Sequence, residues 1–186
     1  MGDSPMTALK IALAAVAILA LLAAVSWHMP STVHVSRTFP APQERVWALW
    51  AEDATVAKWW GPTGYTAPTV RSDFRPGGTF ALAMRSPTGK VFWNAGSYVE
   101  IRPQQRIVQH LSFADAEGRP IPGAAAPVPG KWPDYVTVVT EFRATSGGTE
   151  VRIEEHGIPM IMKLFAGMGW QQQFDKIEAL LRGTAT

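Results

Sequence analysis

The chain contains no cysteine in 186 residues. That excludes disulfides, thiolate zinc sites and cysteine nucleophiles. Charge is also sparse, at 17% of residues, and the 17 Lys and Arg never stand side by side. The net charge of +2 is therefore a thin excess without the basic stripe that nucleic acid requires. No Gly-x-Ser-x-Gly elbow, phosphate loop, dinucleotide fingerprint or His-Glu-x-x-His pair occurs. No internal repeat is visible either. The common zinc, nucleotide and serine-hydrolase chemistries are thus set aside, and neither a cofactor nor a metal is expected.

Apolar surface is plentiful instead. Hydrophobic residues make up 47% of the chain, with 8 Trp and 8 Phe. Its length allows one domain of ordinary size plus an extension. Residues 1–30 read as that extension and 31–186 as the folded domain. Ile11 to Val25 is apolar throughout and is prolonged by Ser26 and Trp27. The run approaches the ~20 residues that span a bilayer. It has no polar face with which to dock as a soluble helix. One reading is a single-pass N-terminal anchor with Trp27 at the interface, the membrane partner being engaged through residues 11–27. The alternative is a signal segment cleaved near Ala24-Val25-Ser26, after which the domain is exported.

Past the Met29–Thr32 linker, Val33 to Phe39 is β-branched and reads as a strand. Pro40-Ala41-Pro42 ends it and opens a helix bearing Val46, Trp47, Leu49 and Trp50, with a shorter helix from Thr55 to Trp60. Tyr65–Phe74, Thr79–Met84, Val91–Ile101 and Arg106–Phe113 then alternate as strands between proline and glycine turns. Ala114 to Asp134 is a long loop rich in proline, of the kind that forms lids or mouths of sites. Tyr135–Ala144 and Thr149–Glu155 form a hairpin. Gly157 to Arg182 closes the chain as one long helix, with Pro159 in its first turn and Gly183 as its stop. That helix has two apolar faces. Ile161, Leu164, Phe165 and Met168 share one, and Trp170, Phe174, Ile177 and Leu181 the other. Two faces imply a helix gripped along its length or kinked near Gly167 and Gly169. Helices and strands are segregated, so the fold class is α+β, with a curved antiparallel sheet wrapped around the last helix.

Five motifs occur in order. They are Val46-Trp47-Ala48-Leu49-Trp50 with Trp59-Trp60-Gly61-Pro62, Asp73-Phe74-Arg75-Pro76-Gly77-Gly78, Gly96-Ser97-Tyr98-Val99-Glu100-Ile101, Gly169-Trp170 and Asp175-Lys176. From about Val33 to Arg182 the chain resembles bacterial proteins related to the C-terminal domain of the Hsp90 ATPase activator. These belong to the START-like superfamily of polyketide cyclases and lipid-transfer proteins, the SRPBCC group. The resemblance implies a helix-grip fold enclosing an apolar cavity. The chain departs from the pattern in its N-terminal apolar segment and in Met160-Ile161-Met162-Lys163-Leu164-Phe165, where a more polar run is expected.

The expected function is membrane-anchored binding of an apolar or amphipathic small molecule in that cavity. The alternatives are a co-chaperone-like domain with a protein partner and a cyclase- or dehydratase-type enzyme using a buried acid–base pair. Candidate cavity residues are Trp59, Trp60, Phe74, Met84, Trp93, His110, Glu141, Met160, Phe165 and Met168. The methionines suit an adaptable apolar wall. Glu141 is a site residue only if it faces the cavity. Glu154, Glu155 and His156 read as a solvated strand end, with Glu155 opposing the other two. Trp170 is expected to pack between helix and sheet, with Gly169 admitting a close neighbour.

Overall fold

The computed structural model describes residues 5–183. Helix α1 (Pro5–His28) comes first and leads through one residue into β1 (Pro30–Phe39). Two short helices follow, α2 (Gln43–Ala51) and α3 (Asp53–Trp59). Strands β2 (Thr66–Ser72), β3 (Thr79–Arg85), β4 (Val91–Arg102), β5 (Arg106–Ala114), β6 (Val136–Thr145) and β7 (Gly148–Pro159) precede α4 (Lys163–Arg182). The seven strands form one antiparallel sheet ordered β1-β7-β6-β5-β4-β3-β2. The long loop after β5 holds only a 3-10 turn at Gly123–Ala125.

Alternation along the strands sets the two faces of the sheet. On β6, Val136, Val138, Thr140 and Phe142 are buried, while Glu141 and Arg143 are exposed. The buried face meets α2, α3 and α4. Phe39 of β1 packs edge-on against Phe174 of α4 at 5.5 Å. Phe142 packs edge-on against both Trp47 and Trp50, each at 5.1 Å. Arg37 of β1 donates to Asp175 at 2.6 Å and to Gln171 at 2.8 Å, which fixes the edge of the sheet to the helix.

Two expectations about the last helix are corrected. The first is its start. Strand β7 continues to Pro159, which pairs with Pro30. Gly157 makes this possible: its φ is +96°, in the region that favours glycine, and the register with β1 slips there. Three residues of 3-10 helix, Met160–Met162, then lead into α4. Pro159 is thus a strand end and not a first helical turn. The second correction concerns the two apolar faces. Trp170, Phe174, Ile177 and Leu181 are buried in the core, whereas Leu164, Phe165 and Met168 are exposed. The helix is therefore held along one stripe and leaves the other uncovered.

Helix α1 lies outside this core. Leu9–His28 has a mean hydropathy of 2.5 and none of it is buried. At 1.5 Å per residue it is about 30 Å long, the thickness of a bilayer's hydrocarbon core.

Candidate functional site

Between the concave side of the sheet and the first half of α4 lies a cavity of about 430 Å³. Four pieces of chain enclose it. Met84 of β3, Phe92 and Asn94 of β4 and Leu111 of β5 form the sheet wall. Phe165, Ala166, Gly169 and Gln173 form the helix wall. The turn after α3 contributes Trp60, Gly61 and Tyr65, and the long loop contributes Val128 and Trp132 at the rim. Trp132 is held in place edge-on to Phe113 at 5.0 Å, and its indole N–H donates to the Pro129 carbonyl at 2.9 Å.

The turn after α3 is fastened to α4 by polar contacts. The Lys176 ammonium donates to the carbonyls of Gly61 at 2.9 Å and Tyr65 at 3.0 Å. The Gln173 side chain accepts from the Gly61 N–H at 3.3 Å, and that of Gln172 from the Thr63 N–H at 2.9 Å. Burial holds the Lys176 pKa below its ordinary value. Lys176 thus joins α4 to the turn that carries Trp60-Gly61-Pro62, while its neighbour Asp175 pairs with Arg37 of β1.

Inside the apolar lining stands Glu155. It is 7% exposed, and its carboxylate accepts the Trp170 indole N–H at 2.9 Å. Burial pushes its pKa up to about 7, against the Trp170 hydrogen bond, which favours the charged form. Glu155 was expected at a solvated strand end. Its position on β7 explains the difference. It follows Val151 and Ile153 at even spacing, and all three are buried. That phase was the available signal, outweighed by the neighbouring charges of Glu154 and His156. Those two do lie on the opposite face, where Glu154 bridges His34 at 3.6 Å and His156 at 3.3 Å.

Trp60 borders both this cavity and a smaller inner void, and its indole N–H has almost no accessible surface. It is 6% exposed, and among the described residues its indole N–H has no hydrogen-bond partner. Buried donors are rarely left so, and the desolvation cost is about 1–3 kcal/mol. Asn94, which donates to the Ser112 carbonyl at 3.3 Å, Gln173, Tyr65 and Ser112 are further polar residues of the lining. Among the described lining residues there is no Lys or Arg, and Glu155 is the one carboxyl.

The candidates proposed from sequence divide into four groups. Trp60, Met84 and Phe165 line the cavity. Trp59 and Phe74 instead line a water-sized inner void of about 30 Å³ beside it, where the Tyr98 hydroxyl meets that of Ser72 at 3.0 Å. Burial, opposed by the Ser72 hydrogen bond, raises Tyr98 to about 12. The Trp59 indole N–H is satisfied by the Leu49 carbonyl at 2.7 Å. The third group lies away from both spaces. Glu141 is exposed and paired with Arg106, and His110 stacks on Tyr135 at 4.1 Å. Trp93 alternates with the cavity residues Phe92 and Asn94 and so takes the outer face, beside Gly118. The fourth group, Met160 and Met168, borders an outer groove between β1 and α4. Met162 takes the cavity position instead.

Trp170 is 5% exposed and packs edge-on to Trp60 at 6.3 Å, while also forming part of the cavity wall. The role expected of Gly169 is corrected. No atom lies within 4 Å of where its Cβ would stand. It widens the cavity and admits no close neighbour.

The model of the Activator of Hsp90 ATPase homolog 1-like protein family matches residues 40–182. No curated protein matches the chain. Among solved structures, a Chromobacterium violaceum protein is similar at a TM-score of 0.68 and 28% identity, over 82% of this chain and 97% of that one. A Mycobacterium smegmatis protein gives 0.67 and 25%, over 81% and 90%. The AHSA1 protein of Silicibacter pomeroyi gives 0.67 and 20%, over 82% and 98%, a likeness of fold alone.

Proposed function

Since the chain belongs to the family of Activator of Hsp90 ATPase homolog 1-like proteins, and since its cavity is apolar with one carboxyl inside, we propose that it binds an amphipathic small molecule there. Helix α1 serves as the anchor that keeps the binding domain at a membrane. The observation that carries the reading is the pairing of a 430 Å³ apolar space with two polar groups that packing does not require. These are the unpartnered Trp60 N–H and the buried Glu155. A small shift of the Trp60 ring would bring its buried N–H to a ligand's oxygen, and a hydroxyl or amine would meet Glu155. An anionic head group has no cation to meet in this lining, so the ligand is uncharged or amine-bearing.

A second reading, the cyclase or dehydratase type, draws on Glu155 alone. A carboxyl with a pKa near 7 suits general acid or base work. The binding reading is preferred because an acid–base pair needs a second partner beside that carboxyl.

A fragment starting at Ser31 tests the binding reading away from lipid. It is expected to melt cooperatively and to bind the uncharged probe N-phenyl-1-naphthylamine at one saturable site. Trp60→Phe should leave that apolar probe's affinity within about twofold. For an oxygen-bearing ligand it should weaken binding about fivefold, the worth of one ~1 kcal/mol hydrogen bond. Unsaturable, detergent-like partitioning of the probe would sink the reading.

A further inference from the structure

The end of α1 and the start of α4 meet at the cavity's rim. Only Met29 separates α1 from β1. The Trp27 carbonyl accepts the Lys131 N–H at 2.9 Å, and the Met29 carbonyl accepts the Met160 N–H at 2.8 Å. One bond ties α1 to the long loop and the other ties the linking residue Met29 to the turn that opens α4. Around this junction the surface is unusually apolar. Leu164 is 70% exposed and Phe165 63%, with Met29, Met160 and Met168 also open. Lys131 and Lys163 are exposed among them. Single exposed apolar residues are ordinary, but a contiguous group marks an interaction surface.

We infer that this surface seats on the bilayer that α1 enters, with Leu164 and Phe165 at the acyl boundary and the cavity mouth opening onto lipid. The inference rests on the reading of α1 as a membrane anchor. Three observations select lipid as the occupant. The apolar span leaves the domain at this point, with Trp27 at its end, where interfacial tryptophan belongs. The side chains pair large apolar groups with lysines, the composition of surfaces that lie in the headgroup boundary. Finally, Phe165 belongs both to this surface and to the cavity rim, next to Val128 and Trp132. A molecule dissolved in the membrane would then reach Glu155 without crossing water.

The absence of cysteine allows single-site labelling of the full chain. Leu164→Cys, Ser146→Cys and Ala17→Cys would each carry a nitrobenzoxadiazole label. Each would be reconstituted in phosphatidylcholine vesicles containing doxyl-labelled lipid. Position 146 is the distal control, in the turn at the far end of β1 and β7, about 30 Å from Pro30 by strand length. The labels at 17 and 164 should be quenched severalfold and that at 146 unaffected. Quenching at 17 with none at 164 overturns this inference and leaves the anchor standing. No quenching at 17 overturns both. Equal quenching at 164 and 146, or disulfide-linked dimers when the unlabelled Leu164→Cys protein is treated with an oxidant such as copper phenanthroline, also overturns it, the dimer by putting a second copy on the surface.

Discussion

Glu155 is the residue on which the site turns, and its environment makes stability depend on pH. Its folded pKa of about 7 lies above the 4.5 of the free side chain. Between those values the folded state keeps a proton that the unfolded state has lost. The contribution of Glu155 to stability is therefore full below about pH 4.5, falls as pH rises to about 7, and levels off beyond. The shift corresponds to a loss of the order of 3 kcal/mol. Glu155→Gln keeps an acceptor for the Trp170 indole and removes the titration. The parent should lose several degrees of melting temperature between pH 5 and pH 8, while Glu155→Gln should hold level there. Parallel slopes in the two proteins would show that Glu155 is not the titrating group.

At the scale of elements, the turn after α3 shapes the cavity because α4 holds it. Lys176→Met removes two charge-assisted hydrogen bonds to the Gly61 and Tyr65 carbonyls. Half-exposure screens these bonds, so the expected loss is about 1–2 kcal/mol in urea unfolding. Probe affinity should fall with it, because Gly61 and Tyr65 are cavity wall. An unchanged midpoint would show that packing and the Gln172 and Gln173 hydrogen bonds hold the turn without Lys176. The elements themselves were largely legible. Proline and glycine turns bounded the strands, and the even spacing of Val136, Val138, Thr140 and Phe142 marked the buried face. The boundary at Pro159 was not legible. A proline two residues after a glycine suits a helix start equally well, and it is the pairing of Ile158 and Pro159 with Ser31 and Pro30 that extends the strand. Of the site, Trp60, Met84 and Phe165 were found from residue type. Glu155 was missed because its own charge masked its phase. Met160 and Met168 were misplaced because which stripe of α4 is covered depends on strands far away in sequence.

The whole molecule joins three parts: an apolar helix long enough for a bilayer, a sheet curled around α4, and a cavity between sheet and α4 whose rim adjoins the apolar helix. That the cavity holds a ligand is the central claim, and Gly169 offers the most direct test. Its Cβ position has open space around it at the cavity wall, so Gly169→Phe directs a ring into that space. The change also gains about 0.4 kcal/mol of helix propensity. The measurement is native mass spectrometry of the full chain purified from its own host, parent beside Gly169→Phe, with melting curves of both. The parent should carry a bound small molecule, and Gly169→Phe should melt no lower yet arrive without it. A parent with no adduct, or the same adduct on both proteins, would contradict the account.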